Sequence, residues 1–108
     1  MKVGIPRFGE SVAPCFEYSA TMAIFTIEHG EIVEQIDVPI RSRVAHDRVR
    51  LMRDHRVDTV ICGGVHELYE GMLQANGIRV ISWVSGNVED LLRGFLSGRL
   101  APPTSKQT

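Results

Sequence analysis

Asp58-Thr59-Val60-Ile61-Cys62 is apolar almost without interruption, and it runs straight into Gly63, Gly64 and a helical pattern. A half-exposed strand alternates apolar and polar residues, whereas a strand buried on both faces does not. The run therefore predicts a central strand of a parallel, helix-covered sheet. The two glycines after it permit the close approach of another group.

The other segments arrange themselves around that strand. Lys2–Ile5 reads as a first strand ended by Pro6, and residues 7–20 as a long loop of the kind that often carries function. Thr21–Glu28 and Glu31–Val38 form a hairpin through His29-Gly30, with Ile32, Ile36 and Val38 sharing one face of the second strand. Ala45, Val49 and Met52 predict a helix to about Arg56, and Leu68, Met72 and Ala75 predict a second from Glu67 to Asn76, stopped by Gly77. Ile78–Val84 is the last strand, with Trp83 expected in the core or an interface. Asn87 caps a third helix, whose first turn holds Glu89 and Asp90 and whose buried side is Leu91, Leu92, Phe95 and Leu96.

Hairpin and crossover rules then leave little freedom. The expected fold is α/β: a single domain over residues 1–100 with a ribonuclease-H-like mixed five-stranded sheet, order 3-2-1-4-5, strand 2 antiparallel, and three helices. Residues 101–108 are expected to form a disordered polar tail.

With 12 basic and 13 acidic residues, the chain lacks the charge of a general nucleic-acid or membrane-surface binder. No apolar run approaches the ~18 residues of a membrane-spanning helix. Two cysteines are too few for a disulfide framework, and the first residues, MKVGIPRFGE, carry no apolar leader segment. A soluble cytoplasmic protein with reduced thiols is the expectation. Six of the ten arginines fall between Arg41 and Arg56, a pattern that usually marks a solvated helix face but would also attract an anionic cluster or an acidic partner.

Strands 1 and 4 are neighbours from which the chain leaves in opposite directions, and open α/β sheets hold ligands at such a switch point. The loop after strand 1 brings Cys15 and Phe16 to that edge, and the connector after strand 3 brings His46. The turn after strand 4 adds Cys62, Gly63, Gly64 and His66, and the one after strand 5 adds Ser85 and Gly86. Cys15, His46, Cys62 and His66 are the candidate metal ligands. Gly63 and Gly64 would clear a floor beside free helix N–H groups, with Phe16 covering the site or anchoring its loop. An iron-sulfur cluster suits such a floor, because its sulfides accept N–H bonds and its irons take thiolate or imidazole. A structural zinc site usually has closer cysteine spacing. Plainer readings stand beside these: Cys62 as a small core residue, His66 as a helix cap, His46 as a solvated residue, and one glycine as a requirement of the tight turn.

The segments MKVGIP, SVAPCFEYSATMAIFTIEHGEI, VDTVICGGV, LQANGIRV and NVEDLLRGFLSGRL resemble, in that order, the dinitrogenase iron-molybdenum cofactor biosynthesis family of nitrogenase accessory, cluster-carrier-like domains. The family's first loop commonly reads S-P-H-F-G-R-A. Here Cys15 stands at the histidine position, with Glu17 and Tyr18 for the glycine and arginine. His46 resembles a histidine common before the family's first helix, and His66 stands where a further glycine is usual.

The resemblance implies a non-enzymatic protein that binds or carries an iron-sulfur or iron-molybdenum-type cluster or its precursor. Its partners would be the cluster and cluster-assembly or acceptor proteins, with no nucleic acid and no membrane. Two alternatives remain open: a dithiol redox protein using Cys15 and Cys62, and a small-anion or partner-binding module without metal. A ribonuclease-H-type nuclease does not fit, because the first strand offers no acidic metal ligand.

Overall fold

The structure, a computed structural model, describes residues 1–99. The expected tail, with Leu100, lies outside the described residues. The strands are β1 (Lys2–Phe8), β2 (Ser11–Val12), β3 (Thr21–Glu28), β4 (Glu31–Pro39), β5 (Thr59–Ile61) and β6 (Arg79–Ile81). The helices are α1 (Ala45–Asp54), α2 (Glu67–Ala75) and α3 (Val88–Leu96). The sheet order is β4-β3-β1-β5-β6, with β2 paired to β1 outside that path. This is the expected 3-2-1-4-5 arrangement plus one short strand: β3 is antiparallel to β1 and β4, and β5 is parallel to β1 and β6.

The continuous apolar run has the expected cause. Val60 and Cys62 pack into one core with Val49 and Met52 of α1 and Leu73 of α2. Ile61, between them, packs into the other core with Val88 and Leu92 of α3. The central strand is therefore covered on both faces.

Four local expectations need correction. Pro6 does not end β1, which continues to Phe8. Lys2 directs its backbone toward Asp58, and by alternation Pro6 turns its nitrogen to the same side, where the β1–β5 ladder has stopped after Gly4. The loop from Arg7 is also shorter than expected, because residues 7–12 make a hairpin (Arg7↔Val12, Phe8↔Ser11) and Phe16–Tyr18 form a 3₁₀ turn. β4 is the sheet edge: of its expected buried face, Ile32 and Ile36 are exposed and only Val38 packs partly against the core. α2 buries Leu73, with Tyr69 and Met72 packed beside it, while Leu68 faces out. The His29-Gly30 turn is as expected, with positive φ at both residues (54° and 77°), the geometry that suits the twist of a tight hairpin.

Candidate functional site

The β1–β2 hairpin sends the chain back across the carboxyl end of β5. There Gly64 N–H donates to Pro14 O at 2.7 Å and Phe16 N–H donates to Gly64 O at 2.8 Å, so Cys15 and Gly64 form a parallel bridge. On the other side Trp83 N–H donates to Gly63 O at 2.8 Å. Val12 N–H reaches Gly86 O at 2.9 Å, tying the last loop to β2. Segments following β1, β5 and β6 thus meet at one corner, as the switch-point argument requires.

The two glycines serve this meeting and not the turn itself. Neither has a positive φ. A Cβ on Gly63 would lie 2.7 Å from the carbonyl oxygens of both Ala13 and Pro14. A Cβ on Gly64 would lie 3.2 Å from the Trp83 ring. Gly63 admits the incoming loop, and Gly64 admits the indole.

Paired residues in a ladder project to the same face. Cys15 therefore points to the face on which the Trp83 ring covers Gly64, while Phe16 points into the core and is fully buried. Cys15 lines a cleft of about 360 Å³ with Phe8, Pro14 and Tyr18. A second cleft of about 380 Å³ lies across Tyr18, lined by Glu17, Arg43, His66, Leu68 and Tyr69.

The expected site residues differ in where they sit. Cys15 is half-buried, at the corner. Its Sγ donates to Glu17 Oε1 at 3.4 Å, and Glu17 Oε2 accepts from His66 N–H at 2.9 Å, so one carboxylate joins the thiol loop to the start of α2. His66 is the N-cap of α2: its Nδ1 accepts from Leu68 N–H at 3.0 Å. An accepting Nδ1 carries no proton, so the neutral ring holds its proton on Nε2. Metal binding would cost either that proton or the cap. Cys62 is wholly buried beside Phe16, Val65 and Leu73. His46 is exposed on the first turn of α1 and lines neither cleft; its connector contributes Arg43 instead, whose carbonyl accepts from Tyr69 Oη at 3.2 Å. Among the described residues, no three His, Cys, Asp or Glu side chains gather in a metal-binding group.

Two contributors were not identified from sequence. Arg48 is only 3% exposed. Its Nη1 donates to Phe16 O at 3.0 Å and Ser19 Oγ at 3.3 Å, and its Nη2 donates to Ser19 O at 3.0 Å. It holds the 3₁₀ turn to α1, and its Nε has no partner among the described residues. The signal was present, since Ala45, Arg48 and Met52 fall on one helical stripe. The second is Glu17, which sequence reading treated only as a departure from the family pattern.

Burial raises the Cys15 thiol pKa, and the hydrogen bond to Glu17 and its charge add to the effect. Glu17→Gln keeps an oxygen for His66 N–H but removes the charge, so Cys15 should alkylate several-fold faster below its pKa, because the thiolate is the nucleophile. Iodoacetamide kinetics followed by intact mass checks this, with Cys62 staying unmodified until the protein unfolds.

Burial, followed by the Glu70, Glu17 and Cys15 charges, pushes Cys62 up to about 12 from an ordinary 9.0. The sign follows from linkage: the native state keeps this proton while the unfolded chain releases it. The contribution is complete below pH 9.0 and is lost as pH rises toward about 12. Urea unfolding at pH 8 to 11 should therefore show a decline, up to ~1.4 kcal/mol per pH unit, that Cys62→Ala flattens.

Residues 1–98 match the profile of the family described as dinitrogenase iron-molybdenum cofactor. Solved structures share the fold, three of them as follows. The crystal structure of PH0822 is 23% identical, with 94% of each chain covered and a TM-score of 0.87. A candidate dinitrogenase from Methanocaldococcus jannaschii is 19% identical, covering 94% of this chain and 92% of its own, with a TM-score of 0.79. The apo form of the orange protein from Desulfovibrio gigas is 17% identical, covering 94% and 91%, with a TM-score of 0.79. At these identities the likeness concerns fold alone. No curated protein gives a significant match.

Proposed function

The chain belongs to the dinitrogenase iron-molybdenum cofactor family, and from that premise we propose that it binds an iron-sulfur or iron-molybdenum-type cluster, or its precursor, as cargo, without catalysing a reaction. The cargo would pass to or from cluster-assembly or acceptor proteins in the cytoplasm. One observation carries the reading: the half-buried thiol, Cys15, stands on a loop fastened to the Gly63–Gly64 corner, where three connecting segments meet.

In this reading Cys15 is the primary ligand. It must shed its proton on binding, against the resistance of burial and Glu17, so loading improves as pH rises. Phe16 anchors the loop from below. Gly63 and Gly64 provide room. Cys62, His66 and His46 would join only through movement: exposure of a core thiol, release of a helix cap, or a shift of the connector. The dithiol alternative asks the same exposure of Cys62.

Anaerobic reconstitution with iron and sulfide tests the proposal. Wild type should gain sulfur-to-iron charge-transfer absorption in the visible. Cys15→Ser should lose it while keeping the far-ultraviolet circular dichroism of the folded domain. A colourless wild type, or a Cys15→Ser protein with undiminished absorption, would defeat it.

A further inference from the structure

The glycine turn is closed to a small anion, because the Ala13–Pro14 segment fills the space that a Cβ on Gly63 would take. The cleft across Tyr18 from the thiol is open. It measures about 380 Å³ and is lined by Glu17, Tyr18, Arg43, His66, Leu68 and Tyr69. We propose that this cleft binds a small organic oxyanion: a phosphate or carboxylate group held by the Arg43 guanidinium and the His66 Nε2–H, with the carbon part of the ligand between Tyr18 and Leu68. The proposal does not rest on the cluster reading and uses neither cysteine.

Arg43 is set up for such a contact. Its connector is fixed on both sides of the residue. Ser42 Oγ accepts from Val44 N–H at 3.1 Å and donates to Asp47 Oδ2 at 2.7 Å. The Arg43 carbonyl takes the Tyr69 hydroxyl at 3.2 Å, and the Tyr69 ring rests edge to face on buried Phe16. Backbone that is ordered before a ligand arrives lowers the cost of binding. The charge is also uncommitted. Among the described residues the ion pairs are Arg7–Asp37 and Arg93–Glu89, so no carboxylate lies within that range of Arg43. A guanidinium fork matches the paired oxygens of a phosphate or carboxylate.

His66 adds a donor of fixed direction. Its Nδ1 is taken by Leu68 N–H, so the proton sits on Nε2 of a ring that lines the cleft. Glu17 is the one carboxylate in the lining and opposes an anion. Both its oxygens are engaged, one by the Cys15 thiol and one by His66 N–H. Two cations outweigh it. Arg48 does not line the cleft and donates to the Phe16 and Ser19 carbonyls, but it is buried with no carboxylate partner among the described residues. Burial lowers its pKa, and the next influences on it are Tyr69, Arg43 and Glu17, all of which line the cleft. A desolvated cation behind the wall keeps the local potential positive. The volume exceeds the ~300 Å³ at which small-molecule sites begin, and Tyr18 and Leu68 give it apolar sides, so an organic ligand fits better than a bare ion.

Titration of the metal-free protein with phenyl phosphate, benzoate and inorganic phosphate, followed by backbone amide NMR, tests the proposal. The Arg43, His66 and Tyr69 amides should shift together and saturate. At least one of the two ring-bearing ligands should bind several-fold more tightly than inorganic phosphate, and the tighter of them identifies the head group. Arg43→Ala leaves the carbonyl for Tyr69 and should weaken binding about tenfold or more. His66→Asn keeps a capping oxygen for α2 but lacks the Nε2–H, and should weaken it several-fold. Arg50→Ala, an exposed arginine of α1 outside the cleft, should leave binding unchanged. Far-ultraviolet circular dichroism checks that each variant is folded. Shifts that sodium chloride reproduces, undiminished binding by Arg43→Ala, an equal loss in Arg50→Ala, or inorganic phosphate binding as tightly as both ring-bearing ligands would each overturn it.

Discussion

Phe16→Ala is expected to lower unfolding stability by about 3–5 kcal/mol in urea titration, a large share of the ~5–15 kcal/mol typical of a domain. The ring is fully buried and meets Tyr69 edge to face at 5.9 Å and 70°. Its backbone is equally committed. Phe16 N–H reaches Gly64, and Phe16 O accepts from both Arg48, at 3.0 Å, and Ser19 Oγ, at 2.8 Å. Removing the ring empties the space beneath the turn that carries Cys15, so alkylation of that thiol should accelerate together with the loss of stability. Phe16→Leu, which refills most of the volume, should cost less than half as much. A stable Phe16→Ala protein with unaltered Cys15 kinetics would mean that the loop is held by something else.

Gly63→Ala is expected to cost about 2–3 kcal/mol, and its chief effect should be local. The new methyl meets two backbone oxygens at 2.7 Å, and neither belongs to a side chain that can swing aside. Either the Ala13–Pro14 segment or the exit of β5 must move, which breaks the bridge between Cys15 and Gly64. Hydrogen exchange at the Gly64 amide reads this directly, and its protection should fall sharply. Gly64→Ala is the control. Its contacts are the Trp83 ring at 3.2 Å, part of an exposed side chain that can shift, and Pro14 O at 3.3 Å, where a few tenths of an ångström of give suffices, so the cost should stay near ~1 kcal/mol. Equal penalties at the two positions would contradict the division of labour between them.

The central architecture was legible because it depends on patterns many residues long. The unbroken apolar run into Cys62 marks burial on both faces, the His29-Gly30 pair marks the hairpin, and crossover handedness then orders the sheet. With that order, Cys15 and the glycine pair had to meet. What escaped depends on single contacts. Pro6 lies inside β1 because β5 has already ended on that side, a fact of register. Ile32 and Ile36 show the alternation of a half-buried strand, yet β4 is the sheet edge, where both are exposed and only Val38 packs partly against the core among the described residues. His66 has the composition of a ligand, but the first turn of α2 takes its Nδ1 as a cap. Arg48 resembles its exposed neighbours until the helix phase is counted, and only the carbonyls of Phe16 and Ser19 explain its burial. Trp83 reads as a core or interface aromatic, and the chain's left-handed step there, with the ring 75% exposed, takes it out of the core.

Metal and acid-labile sulfide analysis of protein isolated without oxygen tests the central claim most directly, with Cys15→Ser prepared in parallel. If the loop fastened at the glycine pair exists to offer one thiol to a cluster, the wild-type protein carries iron, alone or with molybdenum, together with inorganic sulfide, and the serine variant carries only background. Wild-type protein that emerges metal-free from cells making clusters, or a serine variant with the full load, would contradict it.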